Sequence, residues 1–512
     1  MKSVSAQTMR ALDARTIRSG IRSGIELMRA AGECVFRELL RSFPEGPAAV
    51  LAGKGNNGGD GFIAASLLAA HGREVRLFST ADEASLSGDA REAFLALPAP
   101  LRNSIRRQCS PEDLASCAVI VDAMLGTGFS GPLRAPFDEW IRNVNASGVP
   151  VLAVDVPSGL NADDGTADCA VWADVTVTFA LPKTGLLVGR GPAFAGRIVP
   201  AAIGIPRTFL EEAPGELLVT AEEDVRRLFG REPFDVYKNK RGHLFVIGGS
   251  ALYAGAPFLA AEAAMRAGAG LVTACIPDCL QNRFSIPKAL MIRSLPSKNG
   301  VFAPCAAEEL RDVLSRADAV VTGPGLSLSP EQDPFLETVL RECAVPVLVD
   351  ADGLNRIAAE QRLAGALCAR PRGETVLTPH EGEMRRLESV WHLEGEGRTP
   401  SERAAALARV TGAVIVLKGP HTAVCSAEGV CALNLSGCQA LATAGSGDVL
   451  SGVIGALLAR GTEPFEAARA GVFLHGTAGE LAAPVPHAGR GVLADDLPRF
   501  LPEAMRRISQ FA

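Results

Sequence analysis

The sequence predicts an α/β protein: mostly parallel sheets with helices on both faces, repeated in two domains. Three observations carry this. Short apolar runs recur that end in Asp or Gly, such as residues 118–122 and 149–155, with helical stretches between them, the pattern of strands buried on both faces. Each run leads into a loop rich in glycine and small polar residues, and in such sheets ligands gather at the carboxyl ends of the strands. Finally, 512 residues exceed what one hydrophobic core organises, so two to three domains are expected.

The first strand, residues 48–52, opens into GKGNNGGDG at 53–61 and then an apolar helix from Phe62. The spacing of Gly53, Gly55 and Gly58 satisfies the dinucleotide fingerprint. Lys54 comes too early for a phosphate-binding P-loop, and Asp60-Gly61 stands where its lysine and hydroxyl belong. Asn56, Asn57 and Asp60 offer oxygens for ribose hydroxyls or a hard cation, whereas Gly58 and Gly59 admit backbone amides close to a phosphate. Asp60 could instead cap the helix that follows. Strands at 74–78, 118–122 and 149–155 come next; Asp122 leads into MLGTGFSGP and Asp155 into VPSGLNADDG. Residues 206–230 lose the strand rhythm and read as a polar connector, so the chain is cut near residue 220, into 1–220 and 225–512.

In the second half, strands at 243–247 and 271–275 are followed by strand ends at 320–325, 345–355, 375–383 and 414–422. ATAGSGDVLSG at 442–452 carries its most specific chemistry. Gly445, Ser446 and Gly447 should leave amides free at the start of a helix, where an anion binds, and Asp448 beside them can take a proton from a hydroxyl attacking a phosphoryl group. Asp448 as an ordinary first-turn carboxylate is the plainer alternative.

Composition narrows the classes. Hydrophobic residues make up 47 %, and the net charge of -6 argues against nucleic acid or an anionic membrane as partner. Twelve cysteines without a Cys-x-x-Cys pair read as reduced thiols of a cytoplasmic protein, with no structural zinc. No stretch of 18 apolar residues and no signal sequence occur. A homo-oligomer is expected.

GKGNNGGDG, DAMLGTGFSGP, DVPSGLNADDGT and LPKTGL resemble the NAD(P)H-hydrate epimerase domain. KNKRGHLFVIGGSALYAGAPFLAAEAAMRAGAGLV, GPG, TPHEGEM, LKGPHT and AGSGDVLSG are similar to the ADP/ATP-dependent NAD(P)H-hydrate dehydratases, relatives of ribokinase-like kinases. The resemblance spans nearly the whole chain in motif order. It implies a Rossmann-like first domain and a ribokinase-like second one. It also implies a repair function: hydrates of NADH and NADPH at nicotinamide C6 are epimerised by the first domain, and the S form is dehydrated by the second after phosphorylation by ADP, with magnesium.

By the resemblance, Asn56, Asn57, Gly58, Gly59 and Asp60 contact substrate, as do Gly126, Thr127, Gly128, Phe129, Ser130, Gly131 and Pro132, with Asp155 beside the ring. Asn57, Asp122 and Ser158 ligate potassium. Lys183 either serves proton transfer or is a surface lysine near the phosphates. In the second domain Ala256, Gly325, His380 and Asp448 hold the hydrate; Lys418, Gly419, Pro420, His421, Thr422 and Gly447 hold the adenine nucleotide. A packing role for His380 and a snorkelling one for Lys418 are the bland readings. Ser327 where glycine is commoner, Glu381 after the histidine and Cys438-Gln439 before the anion hole depart from the family pattern. A ribokinase-like small-molecule kinase with an N-terminal binding scaffold is the alternative.

Overall fold

The computed structural model describes residues 1–230, 232–281, 287–393, 395, 398–483 and 490–509. It divides into two compact units, one of Met1–Leu218 and one from Val219 onward. Among the described residues no helix is long and apolar enough to cross a membrane.

The first unit holds six strands: β1 (Ala48–Ala52), β2 (Val75–Ser79), β3 (Val119–Ala123), β4 (Val151–Val154), β5 (Val175–Phe179) and β6 (Arg197–Ala201). They lie in the order β2-β1-β3-β4-β5-β6 and every pair is parallel. All five residues of β1 are buried because both faces are covered. Ala48, Val50 and Ala52 enter one core with helices α1 (Ala6–Arg18), α2 (Gly24–Ser42) and α3 (Asn56–Ala70); Ala49 and Leu51 enter another, with Trp140, Ile141 and Val144. This is the three-layer α/β/α class. The chain runs from β1 outward to β2, then crosses to β3 on the other side, so the strand order reverses between β1 and β3. The crevice opens there, at their carboxyl ends.

The stretch expected as a loop over 53–61 is helical from Asn56 onward, with Gly55 as N-cap. Its glycines are dictated by closeness. A Cβ on Gly58 would stand 2.0 Å from the Gly53 carbonyl oxygen, and one on Gly61 2.6 Å from the Ala123 side chain. Asp60 lies inside α3, which corrects the capping alternative.

The second unit holds β7 (Leu218–Thr220), β8 (His243–Ile247), β9 (Leu271–Pro277), β10 (Met291–Leu295), β11 (Ser297–Lys298), β12 (Val301–Phe302), β13 (Ala319–Thr322), β14 (Val347–Val349), β15 (Thr375–Leu377), β16 (Val414–Leu417), β17 (Ala423–Cys425) and β18 (Cys431–Asn434). A ten-stranded sheet runs β10-β9-β8-β13-β14-β15-β16-β17-β18-β7. It is parallel from β10 to β16 and antiparallel through β17 and β18. Leu244 and Val246 pack with the helices Ala256–Arg266, Ser446–Ala459, Pro464–Ala482 and Leu497–Ser509, while Phe245 and Ile247 are buried on the other face. Cys425 and Cys431 face one another across β17 and β18 and are joined in a disulfide; the expectation that every thiol is reduced is corrected at this hairpin, whose register brings the two residues opposite.

Candidate active site

In the first unit the carboxyl end of β3 carries Asp122, fully buried. Its Oδ1 accepts from the Ser158 hydroxyl at 2.6 Å and its Oδ2 from the Ser158 amide at 2.8 Å. Leu125 ties this pair to α3: its amide donates to Ser158 Oγ at 2.8 Å, and its carbonyl accepts from Asn57 Nδ2 at 2.9 Å. Because the amide nitrogen of Asn57 is spent on Leu125, its Oδ1 is the atom left to accept or ligate. The three residues expected together therefore meet around Leu125, which sequence reasoning did not single out. Burial pushes the Asp122 carboxyl up to about 6 against the hydrogen bonds from Ser158.

At the end of β4, Asp155 takes the left-handed backbone conformation, φ 64°, which few residues other than glycine, asparagine and aspartate adopt. Its Oδ1 accepts from the Phe179 amide at 3.1 Å, from Thr178 Oγ1 at 3.2 Å and from the Lys183 ammonium. Lys183 is 0 % exposed. Its ammonium also donates to the Phe179 carbonyl at 3.1 Å, so the surface reading of this lysine is corrected. Such burial of an ammonium requires a paired carboxylate. The N-terminal segment closes over it: the Val4 amide donates to the Pro182 carbonyl at 3.0 Å, the Thr184 amide to the Val4 carbonyl at 3.0 Å, and the Ser3 and Thr184 hydroxyls lie 3.0 Å apart.

Asp60 is buried on α3, and desolvation, then Asp155 and Asp13, hold its carboxyl well above the usual range. Residues 126–132 form a partly exposed loop beyond β3. Its Thr127 carbonyl accepts from Arg10 of α1 at 3.2 Å.

In the second unit the helix Ser446–Ala459 starts at Gly445, whose φ of 87° turns the chain into the helix; a side chain there would be strained. Asp448 stands in its first turn. Burial, then the neighbouring Asp350, raises its carboxyl to about 7, with Lys418 opposing. Lys418 directly follows β16, and its ammonium donates to Asp350 Oδ1 at 2.9 Å, with Glu383 Oε2 at 4.0 Å. Burial disfavours that ammonium, but Asp350 and Glu383 outweigh it and its pKa rises. Asp350 Oδ2 accepts from Ser451 at 2.7 Å. A Cβ on Gly447 would sit 3.3 Å from the Lys418 ammonium, which brings nucleotide candidates and Asp448 to one place. Lys418 is thus a paired site lysine.

Its amide donates to the Pro379 carbonyl at 2.9 Å, next to His380. That histidine is exposed, caps the helix Glu381–Val390 by accepting from the Gly382 amide at 2.9 Å, and is kept below its ordinary pKa by partial burial, then Lys418 and Arg386. The packing alternative is corrected, since the ring is exposed. Ala256 and Gly325 adjoin, a Cβ on Gly325 falling 3.3 Å from that of Ala256. Gly419 and Thr422 close the turn after β16, the threonine hydroxyl donating to the Gly419 carbonyl at 3.2 Å; Pro420 and His421 lie within it. Of the departures, Ser327 has φ 85° and its amide donates to Asp352 Oδ2 at 2.9 Å, Glu381 pairs with Arg385 and Arg403, and Cys438 precedes a short helical turn. Asp13, Asp350, Glu383 and Ser451 escaped sequence reasoning. Asp350, in VPVLVDADGLN, had a signal: an Asp closing an apolar strand.

Residues 244–503 match the family described as NAD(P)H-hydrate dehydratase, and residues 24–185 that described as YjeF-related protein N-terminus. The bifunctional NAD(P)H-hydrate repair enzyme of Moorella thermoacetica is 36 % identical over 99 % of this chain and 97 % of its own. That of Archaeoglobus fulgidus is 34 % identical over 100 % of each. Among solved structures, a ribokinase-like superfamily protein from Enterococcus faecalis is similar over 57 % of this chain and 97 % of its own, at 26 % identity and TM-score 0.48. The ADP/ATP-dependent NAD(P)H-hydrate dehydratase of Bacillus subtilis, co-crystallised with ATP and Mg2+, is similar over 57 % and 99 %, at 27 % identity and TM-score 0.47. With both halves matched and such identity sustained from end to end, the chain belongs to the bifunctional NAD(P)H-hydrate repair enzymes.

Proposed function

We propose that the first unit interconverts the R and S hydrates of NADH and NADPH and that the second dehydrates the S hydrate at the expense of ADP. The observation that carries this reading is Asp448: a carboxyl poised at about 7 in the first turn of a 14-residue helix, beside the Lys418 ammonium. A carboxylate of that pKa accepts a hydroxyl proton near neutrality, and the helix N-terminus and lysine offset charge on a phosphoryl group. Asp448 takes the proton of the C6 hydroxyl as its oxygen attacks the terminal phosphorus of ADP, releasing AMP. The C6–O bond then breaks with phosphate as leaving group, a proton leaves C5, and its electron pair forms the C5–C6 double bond. Among the described residues no three His, Cys, Asp or Glu side chains converge on a metal position. Magnesium suits such a place, because it keeps its waters and is held mainly by the nucleotide phosphates.

In the first unit Asn57 Oδ1, the Asp122 carboxylate, Ser158 Oγ and the Leu125 carbonyl form a mostly neutral oxygen set around one negative charge. This donor chemistry fits potassium, which would offset the charge of Asp122 and brace the loop of residues 126–132. Asp155 and Lys183 face the ring as a carboxylate–ammonium pair. Incubation with mixed NADH hydrates and ADP, followed by return of dihydropyridine absorbance, tests both activities. Full recovery supports two active units, recovery of half removes the epimerase assignment, and no recovery removes the dehydratase.

A further inference from the structure

The helix Pro464–Ala482 carries a histidine that the dehydration chemistry has not used. His475 is 7 % exposed, and its ring Nε2 lies 3.2 Å from the hydroxyl of Ser446, a buried residue at the start of the helix that bears Asp448. Burial holds the imidazole down to about 4, a hydrogen bond with the Ser446 backbone opposing, so the ring is neutral near neutrality. The Ser446 amide, expected free for an anion, donates instead to the Thr443 carbonyl at 3.3 Å. The hydroxyl is what this residue has left to offer between Gly445 and Gly447.

The histidine's own helix is braced at the same turn. A Cβ on Gly476 would stand 2.1 Å from Ser436 Oγ, and that hydroxyl donates to the Phe473 carbonyl at 2.9 Å. Asn434, at the end of β18, donates from Nδ2 to the Ser436 carbonyl at 2.8 Å, and its amide donates to the Thr422 carbonyl at 3.0 Å. His475 therefore stands on a helix that ties the turn of residues 418–422 to the amino end of the helix Ser446–Ala459. A neutral imidazole has one N–H and one bare nitrogen, and a hydroxyl has one hydrogen to give. With the proton on Nε2, the ring occupies a lone pair of Ser446 Oγ and leaves the hydroxyl hydrogen free. With Nε2 bare, the ring consumes that hydrogen.

We propose that His475 is a positioning residue of the second-unit site: its Nε2–H donates to Ser446 Oγ and so aims the Ser446 hydroxyl at the phosphoryl group passing from ADP to the hydrate. The inference rests on the dehydratase reading above and adds a donor to it. Lys418 meets the phosphoryl oxygens as a point charge, whereas the hydroxyl supplies a directed hydrogen bond. A donor held in place beforehand costs no reorganisation when charge develops. No proton passes to or from the histidine, which acts only through Ser446.

The test uses the full chain, the S hydrate of NADH and ADP. Ser446→Ala should lower kcat of dehydration about a hundredfold and His475→Leu about tenfold, while KM for ADP and for the hydrate stays within about twofold. Because His475 works through the hydroxyl, the double variant should be no slower than Ser446→Ala alone. His475→Gln, which offers an amide N–H to the same place, should recover most of the leucine loss. Nitrogen NMR of the protein labelled at histidine, with the His475 signals assigned by their absence in His475→Gln, should show the proton on Nε2 and a bare Nδ1; this decides the matter even where the leucine variant does not fold. A bare Nε2, multiplied losses in the double variant, or full kcat in His475→Leu would overturn the inference and leave the dehydratase reading standing. A parent protein that does not dehydrate the S hydrate with ADP removes that reading itself.

Discussion

At the scale of single residues, Asp448 makes the sharpest prediction. Asp448→Asn keeps the helix start and the amides of Gly445 to Gly447 but deletes the proton acceptor, so dehydration should drop by about a hundredfold to ten-thousandfold while nucleotide still binds. Epimerisation of the R hydrate should continue unchanged, since Asp155 and Lys183 belong to the other unit. A variant with full dehydratase activity removes Asp448 from the reaction. The parent enzyme carries a second signature: the base works only when ionised, so dehydration should rise with pH through about 7. The stability linkage runs oppositely. A carboxyl raised from 3.8 to about 7 holds its proton in the folded state, so its stabilising contribution is complete below pH 3.8 and is lost as pH rises through 7. Ser327 offers a milder test. With φ at 85° it stands where glycine is unstrained, and Ser327→Gly should raise stability by about 0.5–1 kcal/mol, net of the backbone entropy glycine adds. Calorimetry reads that change, and a lower melting temperature would show that the Ser327 side chain compensates for the strain.

Among elements, the helix Ser446–Ala459 is held by closeness to the helix Ala256–Arg266. A Cβ on Gly452 would fall 2.0 Å from the Ala260 carbonyl oxygen, a contact that only separation of the two helices relieves. Gly452→Ala should therefore cost about 1–3 kcal/mol, displace Asp448 and depress dehydration, with epimerisation spared. Unchanged melting and dehydration would show that this packing yields freely. The strands themselves were legible because residues buried on both faces must be apolar throughout, as in Ala48–Ala52 and Val151–Val154. The start of α3 was not. Asn-Asn-Gly-Gly reads locally as a turn, and only the approach of Gly58 to Gly53 and of Gly61 to Ala123 makes those residues helical. The β17–β18 register that joins Cys425 to Cys431 was hidden for the same reason, since pairing is a property of two strands. In the sites, loop residues beside strand ends were visible, whereas Asp13 and Ser451 sit in helices whose other residues look ordinary.

For the whole molecule, two units with separate sheets and cores imply separable folding. Fragments 1–217 and 218–512, which leave β7 with its own sheet, should each give a cooperative thermal transition and retain one activity. If neither melts cooperatively alone, the division is wrong. The cut near residue 220 rested on the loss of strand rhythm over 206–230, a stretch in which the fold nonetheless places the helices Arg207–Glu212 and Glu222–Arg226 and, between them, β7. What could not be read there was the reach of the amino terminus, because the sequence between Val4 and Lys183 carries no sign that they meet. That meeting also dictates an order of events during synthesis. Ser3 and Val4 leave the ribosome on the order of ten seconds or more before their partners Pro182 and Thr184. Until then the segment of Ser3 and Val4 lacks these partners. The nascent first unit must wait with Ser3 and Val4 unplaced, and the enclosure of its buried lysine is a late event in its biogenesis.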